Sequence, residues 1–164
     1  MSKISAEQIK KLREMCGAGI MECRLALETA FAETNSASAS QGKIVERALE
    51  IIKKKGMEVA EKKKERETKQ GIIEAYTHCG GKVVSVVELL CETDFVARNE
   101  EFKALAHELA MQVAAMNPKN IKELLEQEYI RDPKKKTGDL LTEVIGKIRE
   151  NIKVGRIARF ELGE

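Results

Sequence analysis

His78 and Cys79 stand side by side, and a thiol beside an imidazole is the smallest set that could support nucleophilic catalysis. The pairing fails on geometry, because neighbouring residues of a strand point to opposite faces. His107, the only other histidine, lies 29 positions away, on the expected polar side of a helix. The glycines that follow Cys79, in CGGKVV at residues 79–84, are not a phosphate loop. A leading glycine four residues earlier and a Ser or Thr after the lysine are both missing. Asp94 has Glu92 two positions away and no second carboxylate at helical spacing, so neither a metal pair nor an acid/base pair is expected. Cys16, Cys23, Cys79 and Cys91 are separated by 7, 56 and 12 positions with no CxxC pair, which suits neither zinc nor a small disulfide scaffold. Buried free thiols in a reducing compartment are the expectation. No cofactor or metal is called for, and the chain does not read as an enzyme.

One residue raises the chemistry of surfaces instead. The chain has four Phe, two Tyr and no Trp, so each large ring needs a location. In CETDFVARN, residues 91–99, Asn99 is a natural cap for the helix that follows, which makes Thr93 to Arg98 a separate turn after a strand. Turns at strand ends lie at the edge of a domain, where side chains project outward. Phe95 either projects there or folds back beside Phe102, seven residues on. Spacing alone favours the second.

These residues need elements to hold them. The hydrophobic fraction of 43% is enough for a core, the charged fraction of 34% is above the usual quarter or so, and the net charge is only +2. Neither nucleic acid nor an anionic membrane is an expected partner on charge. No apolar run reaches the roughly 18 to 20 residues of a membrane span. The opening MSKISAEQIKKLREM lacks an apolar core and carries Glu7 and Glu14, so a cytoplasmic location is expected.

Ser5 with Gln8 forms a capping box for a first helix, whose Ile9, Leu12 and Cys16 face inward. The glycines of CGAG, residues 16–19, turn the chain into a second helix from about Ile20 to Thr34, with Ile20, Cys23, Leu27 and Ala30 inward. Met21 and Leu25 share a neighbouring face that a third helix either covers or leaves bare. Residues 33–42, ETNSASASQG, read as a long loop. The third helix begins near Lys43, with Ile44, Ala48 and Ile51 inward and Val45, Leu49 and Ile52 beside them. From Lys53 to Lys69 eight basic residues stand against four acidic ones. A solvated helical connector is the expectation there; an RNA-contacting helix is the sharper alternative, without interleaved aromatics to stack on bases. The organisation is thus a three-helix module at 1–55, a charged helical connector at 56–70 and a second domain at 71–164.

The second domain changes period. GIIEAYTHCGGKVVSVVELLCE, residues 71–92, is two strands about Gly80-Gly81, the second apolar on both faces and therefore central. Asn99 then opens an amphipathic helix with Phe102, Leu105, Ala106, Leu109, Val113 and Met116 as its core stripe. A short helix over 121–128, a loop at RDPKKKTGD (131–139), a helix over about 140–150 and a closing strand follow. That strand is read with Val154, Arg156, Ala158, Phe160 and Leu162 on one face. The fold class is α+β: a three-stranded antiparallel sheet packed with helices, preceded by the helical module and its connector.

LREMCGAGIMECRLAL (12–27), VELLCETDFVARNEEFKALAHELAMQVAA (87–115) and the closing REN, IKV and RFEL stretches together resemble elongation factor Ts, over nearly the whole chain. The resemblance implies a guanine-nucleotide exchange factor for elongation factor Tu, with a ubiquitin-associated-like N-terminal module that docks on the GTPase. It implies that Thr93, Asp94, Phe95 and Val96 form the inserted motif, Phe95 acting as wedge near the magnesium and nucleotide site with Asp94 beside it. Arg13, Ile20, Met21 and Arg24 fall where the family meets the GTPase, and so does Ile148. Departures from the family pattern are Cys16 for Thr, Glu22 for Asp, Leu25 where a basic residue is common, Arg149 for a small residue, and a loop at 33–42 about ten residues longer than the family's tight turn. Longer members carry a second copy of the core unit, whereas short ones resemble dimers. A noncovalent homodimer is therefore expected, since no cysteine lies in the final strand.

Overall fold

The computed structural model describes residues 4–34 and 41–164, which divide into two compact units, Met1–Val59 and Ala60–Glu164. The first unit holds α1 (Ala6–Cys16), α2 (Ile20–Glu33) and most of α3 (Gln41–Lys63). Ser5 caps α1 as its sequence requires: its Oγ accepts the Gln8 amide, and the Gln8 side chain accepts the Ser5 amide at 2.8 Å. Gly17, in the left-handed region at φ 68°, ends α1. The core is Leu12, Cys23, Ala26, Leu27, Ala30, Ile44 and Ala48, with Ile9, Phe31 and Leu49 packed at its margin.

Ile20 departs from its expected inward position. It is 57% exposed, because Ala18 in the preceding turn fills the core at that end. The third helix also leaves Met21 and Leu25 uncovered, at 62% and 46% exposure. Of the loop expected at 33–42, Thr34 caps α2 and Gln41 already begins α3, while residues 35–40 lie outside the described residues. Only part of the basic connector is helical: α3 stops at Lys63, and the chain reaches the first strand through a turn.

The second unit is built on β1 (Gln70–His78), β2 (Val83–Cys91) and β5 (Ile152–Glu161), antiparallel, with β2 in the centre. Cys79–Gly81 form a single 3₁₀ turn at the hairpin tip, where Cys79 is exposed rather than buried and, at φ 50°, adopts the left-handed region. Further along lie α4 (Asp94–Ala97), α5 (Glu100–Met116), α6 (Ile121–Glu126) and α7 (Thr137–Ile148). Between α6 and α7, β3 (Glu128–Tyr129) and β4 (Asp132–Lys136) make a small hairpin where a loop was expected. It forms because buried Gln112 of α5 holds it by its backbone, donating to the Glu128 carbonyl and accepting the Ile130 amide, both at 3.0 Å.

α5 lies on β1 and β2 through Phe102, Leu105, Leu109 and Val113; Met116, its last residue, is half exposed. Against it the sheet presents Ser85, Val87, Leu89 and Cys91, and the Ser85 hydroxyl donates to the Ala110 carbonyl at 2.6 Å. The closing strand does not keep one face throughout. Its register slips so that Arg156 pairs with Glu88 and Val154 with Leu89, leaving Gly155 as the extra residue of a bulge. Val154 therefore points into the core, whereas Arg156, Ala158 and Phe160 share the opposite face. Among the described residues nothing covers that opposite face, where Ile73 is 66% and Phe160 69% exposed. A Cβ on Gly155 would meet the Glu88 carboxylate at 2.5 Å, and one on Gly71 would lie 2.2 Å from the Leu89 carbonyl oxygen. At Gly71 the obstacle is backbone of the central strand and cannot swing away. Gly71→Ala is accordingly expected to cost about 2–4 kcal/mol, read as a fall in the midpoint of chemical denaturation.

Candidate functional site

The Thr93–Arg98 stretch is held by groups far away in sequence. Thr93 is the N-cap of α4: its hydroxyl oxygen accepts the Val96 amide at 3.4 Å. The same hydroxyl donates to Glu150 Oε1 at 2.7 Å, and the Thr93 amide donates to Glu150 Oε2 at 3.0 Å. One carboxylate thus takes both donors of the cap residue. A reciprocal pair lies next to it, where the Asn151 amide donates to Glu92 Oε1 at 2.6 Å. Buried Asn151 also donates its side-chain amide to the carbonyls of Lys64 and Arg66, and Arg66 returns to Glu92 at 3.4 Å. The end of β2, the start of β5 and the end of the connector are tied together within six residues of each strand end.

This arrangement decides where each motif residue points. Val96 and Ala97 are buried, Asp94 sits outside in an ion pair with Arg98 at 3.0 Å, and Phe95 is 80% exposed. Phe102 is fully buried by itself, so the folded-back packing that spacing favoured is overturned. A one-turn helix that buries its third and fourth residues must present its second to solvent. An uncovered Phe forgoes about 1.5–3 kcal/mol of burial, which is recovered only when something else covers the ring.

Beneath the turn lies Cys91, whose thiol donates to the Thr93 carbonyl at 3.1 Å. Burial first, and the nearby Glu150 carboxylate second, push this thiol up to about 11. In the unfolded chain it ionises near 9, so its contribution to stability is complete below that pH and is lost as the pH rises towards 11.

The second group of expected site residues is on the first unit. Ile20, Met21 and Leu25, joined by Met15 at 56% exposure, form an apolar surface beside the Gly17–Gly19 turn. Arg13 and Arg24 are exposed within the same helices, Arg24 in an ion pair with Glu28 at 2.9 Å. Ile148, half-buried, ends α7 two residues before Glu150, so it shares an end of the second unit with Phe95. Arg149 between them adopts the left-handed region at φ 65°, a conformation that glycine takes with least strain. Sequence reasoning missed Glu92, Glu150 and Asn151. Their signal was a run of polar residues at each of two strand ends, with no local capping duty to account for it.

Among the described residues no group of three or more His, Cys, Asp or Glu side chains could hold a metal. His78 and His107 both lie against the Tyr76 ring; the Tyr76 hydroxyl reaches His78 Nδ1 at 3.2 Å and His107 Nδ1 meets Glu74 at 3.0 Å. This is a polar cluster on an edge strand, and Cys79 is no part of it. Glu150→Ala would leave the buried side of the Thr93 cap without its acceptor. The expected outcome is a loss of about 1–3 kcal/mol in folding free energy, with a smaller loss for Glu150→Gln, both measured by urea denaturation.

A family model described as "Elongation factor TS" matches residues 92–164. Curated proteins named "Elongation factor Ts" match nearly the whole chain: that of Thermotoga petrophila is 42% identical over 205 aligned positions, covering 99% of this chain and 98% of that protein. That of Caldanaerobacter subterraneus subsp. tengcongensis is 38% identical with 98% of both covered. That of Finegoldia magna is 39% identical, with 100% of this chain and 92% of the relative covered. The Thermotoga petrophila alignment has 205 positions against 164 residues here, so at least 41 of them have no residue in this chain. With identities near 40% sustained from end to end, the chain belongs to the elongation factor Ts family.

Proposed function

We propose that the chain is a guanine-nucleotide exchange factor for elongation factor Tu and that Phe95 is its working group. The observation that carries this reading is the combination at one turn of an 80% exposed phenyl ring and a backbone fixed by a partly buried carboxylate. A pre-positioned aromatic side chain gives interface energy at low entropic cost. A nucleotide diphosphate is held mainly by magnesium and backbone dipoles, so displacing those groups slightly weakens it considerably. Inserted next to such a site, Phe95 and Asp94 would favour the nucleotide-free state over the GDP-bound one. The coupling is reciprocal: what expels GDP is itself expelled when nucleotide returns. No bond is made or broken, so the chain acts as a binding protein and not as an enzyme.

In this reading the ubiquitin-associated-like module at residues 1–55 docks on the GTPase with Arg13, Ile20, Met21 and Arg24. The domain at 71–164 carries Thr93, Asp94, Phe95 and Val96, with Ile148 on the same end, and it works in the cytoplasm. Val96 serves from inside, as the buried residue that orients its neighbour. The uncovered sheet face is assigned to a second copy of the chain in a noncovalent homodimer. Its apolar residues Ile73, Val84, Val86, Ala158 and Phe160 suit a like surface. An RNA-binding role for residues 53–69 finds less support, because Lys64, Arg66 and Lys69 are each paired with a carboxylate, of Glu61, Glu92 and Glu67 respectively.

Two measurements check this. Wild-type protein should accelerate release of fluorescent GDP from elongation factor Tu, and Phe95→Ala should slow that release by about tenfold or more with unchanged stability, since the ring is in water. Equal rates would place the working group elsewhere. Sedimentation at micromolar concentration should show a dimer; monomer alone would remove the assignment of the sheet face.

A further inference from the structure

We propose that Cys16 and Cys23 are a redox-modification site, a dithiol that closes to a disulfide across the Gly17–Gly19 turn and disturbs the apolar surface next to it. Their sulfurs are 3.8 Å apart, in contact but not bonded. The cysteines belong to two different helices, Cys16 being the last residue of α1 and Cys23 lying in the first turns of α2. A disulfide needs about 2.05 Å, so closure asks for side-chain rotation and a small shift of the turn. Both are available. Cys16 is at a helix end beside a left-handed glycine, and the Cys23 thiol is held besides by a long contact to the Ala18 carbonyl at 3.7 Å. The remaining cysteines offer no such pair: Cys91 is buried in the other unit, bonded to the Thr93 carbonyl, and Cys79 is alone at the hairpin tip.

Burial orders the chemistry. Cys23 is fully buried and Cys16 only partly so, which makes Cys16 the sulfur a reagent reaches. Burial and the adjacent Cys16 sulfur hold the Cys23 thiol up to about 11, so it is a poor first attacker. With a low-molecular-weight disulfide as oxidant, Cys16 attacks one of its sulfurs, gives up its proton, and releases the first small thiol. Cys23 then attacks the Cys16 sulfur of the mixed disulfide, loses its proton, and displaces the second small thiol. The protein is oxidised by two electrons, and the small disulfide is reduced to two thiols. The second step is slow for a thiol of high pKa in free solution, but contact geometry removes the encounter cost.

Ile20 and Met21 lie within the loop that the bond would close, and both are exposed. Tightening that loop shifts the start of α2 and with it the surface assigned to the GTPase; this consequence rests on the exchange reading. The test treats the chain, as Cys79→Ser to prevent cross-linking through the hairpin tip, with excess oxidised glutathione. Thiol titration should fall by two, peptide mapping should join the segments containing Cys16 and Cys23, dithiothreitol should reverse both, and Cys16→Ser should keep the Cys23 thiol. Retention of both thiols, or a glutathione adduct on Cys16 that never resolves, would overturn the site. Bridged protein should accelerate GDP release from elongation factor Tu about tenfold less than reduced protein. Equal rates from fully bridged protein would overturn the link to docking. If reduced protein fails to accelerate release at all, the exchange reading falls while the thiol titration still decides the disulfide.

Discussion

The carboxylate of Glu150 is the group on which the functional end of the second unit depends. It accepts from both the amide and the hydroxyl of Thr93, which is itself the cap of the one-turn helix that follows. Hydrogen bonds to an ionised acceptor are roughly twice as strong as neutral ones, and this pair lies partly out of water. With Thr93 fixed, the backbone of the next four residues has little freedom. Val96 and Ala97 go inward and Phe95 goes out. The adjacent bonds of Asn151 to Glu92, Lys64 and Arg66 brace the same corner from the connector side. An exposed ring on a mobile loop would lose much of its binding energy to ordering; on this turn most of that ordering is done during folding.

The sheet supplies the frame that brings Thr93 and Glu150 together, 57 residues apart in sequence. Pairing of β2 with β5 sets the end of one strand beside the start of the other. The Gly155 bulge then rotates the rest of β5, so that Ile157 and Arg159 continue the α5 side while Ala158 and Phe160 face away. Arg159 uses that placement to donate to the Ala114 carbonyl near the end of α5. One sheet face is thus consumed by the domain's own core, and the other carries the exposed Ile73 and Phe160. Leaving so much apolar area bare on a three-stranded sheet is unfavourable for an isolated chain.

Local signals carried well from sequence to structure. The Ser5–Gln8 capping box, the Asn99 cap, the left-handed Gly17 and the hairpin about Gly80-Gly81 each depend on residues within a few positions. Signals that depend on distant partners did not carry. Ile20 has the spacing of a core residue, but Ala18 occupies the space. Val154 and Arg156 alternate as a regular strand would, but a bulge separates them, at a register shift opposite Glu88 and Leu89 of the neighbouring strand. The β3–β4 hairpin has no strand composition and exists because Gln112, on another helix, holds its backbone. Phe95 is the most instructive case. Spacing favours packing on Phe102, the family resemblance implies an outward ring, and the physical reason for the outward ring is a carboxylate whose role no local pattern reveals.

The central claim is that the Glu150–Thr93 clamp acts on nucleotide exchange through the position of Phe95. It is tested most directly by a double-mutant cycle on the rate of GDP release from elongation factor Tu, with Glu150→Ala, Phe95→Ala and the pair, each at a temperature where it is folded. If the clamp works through the ring, Glu150→Ala slows release in the wild-type background and adds almost nothing once Phe95 is gone. Two full effects that simply multiply would contradict the account, since the carboxylate would then act on the partner by a route that does not involve Phe95.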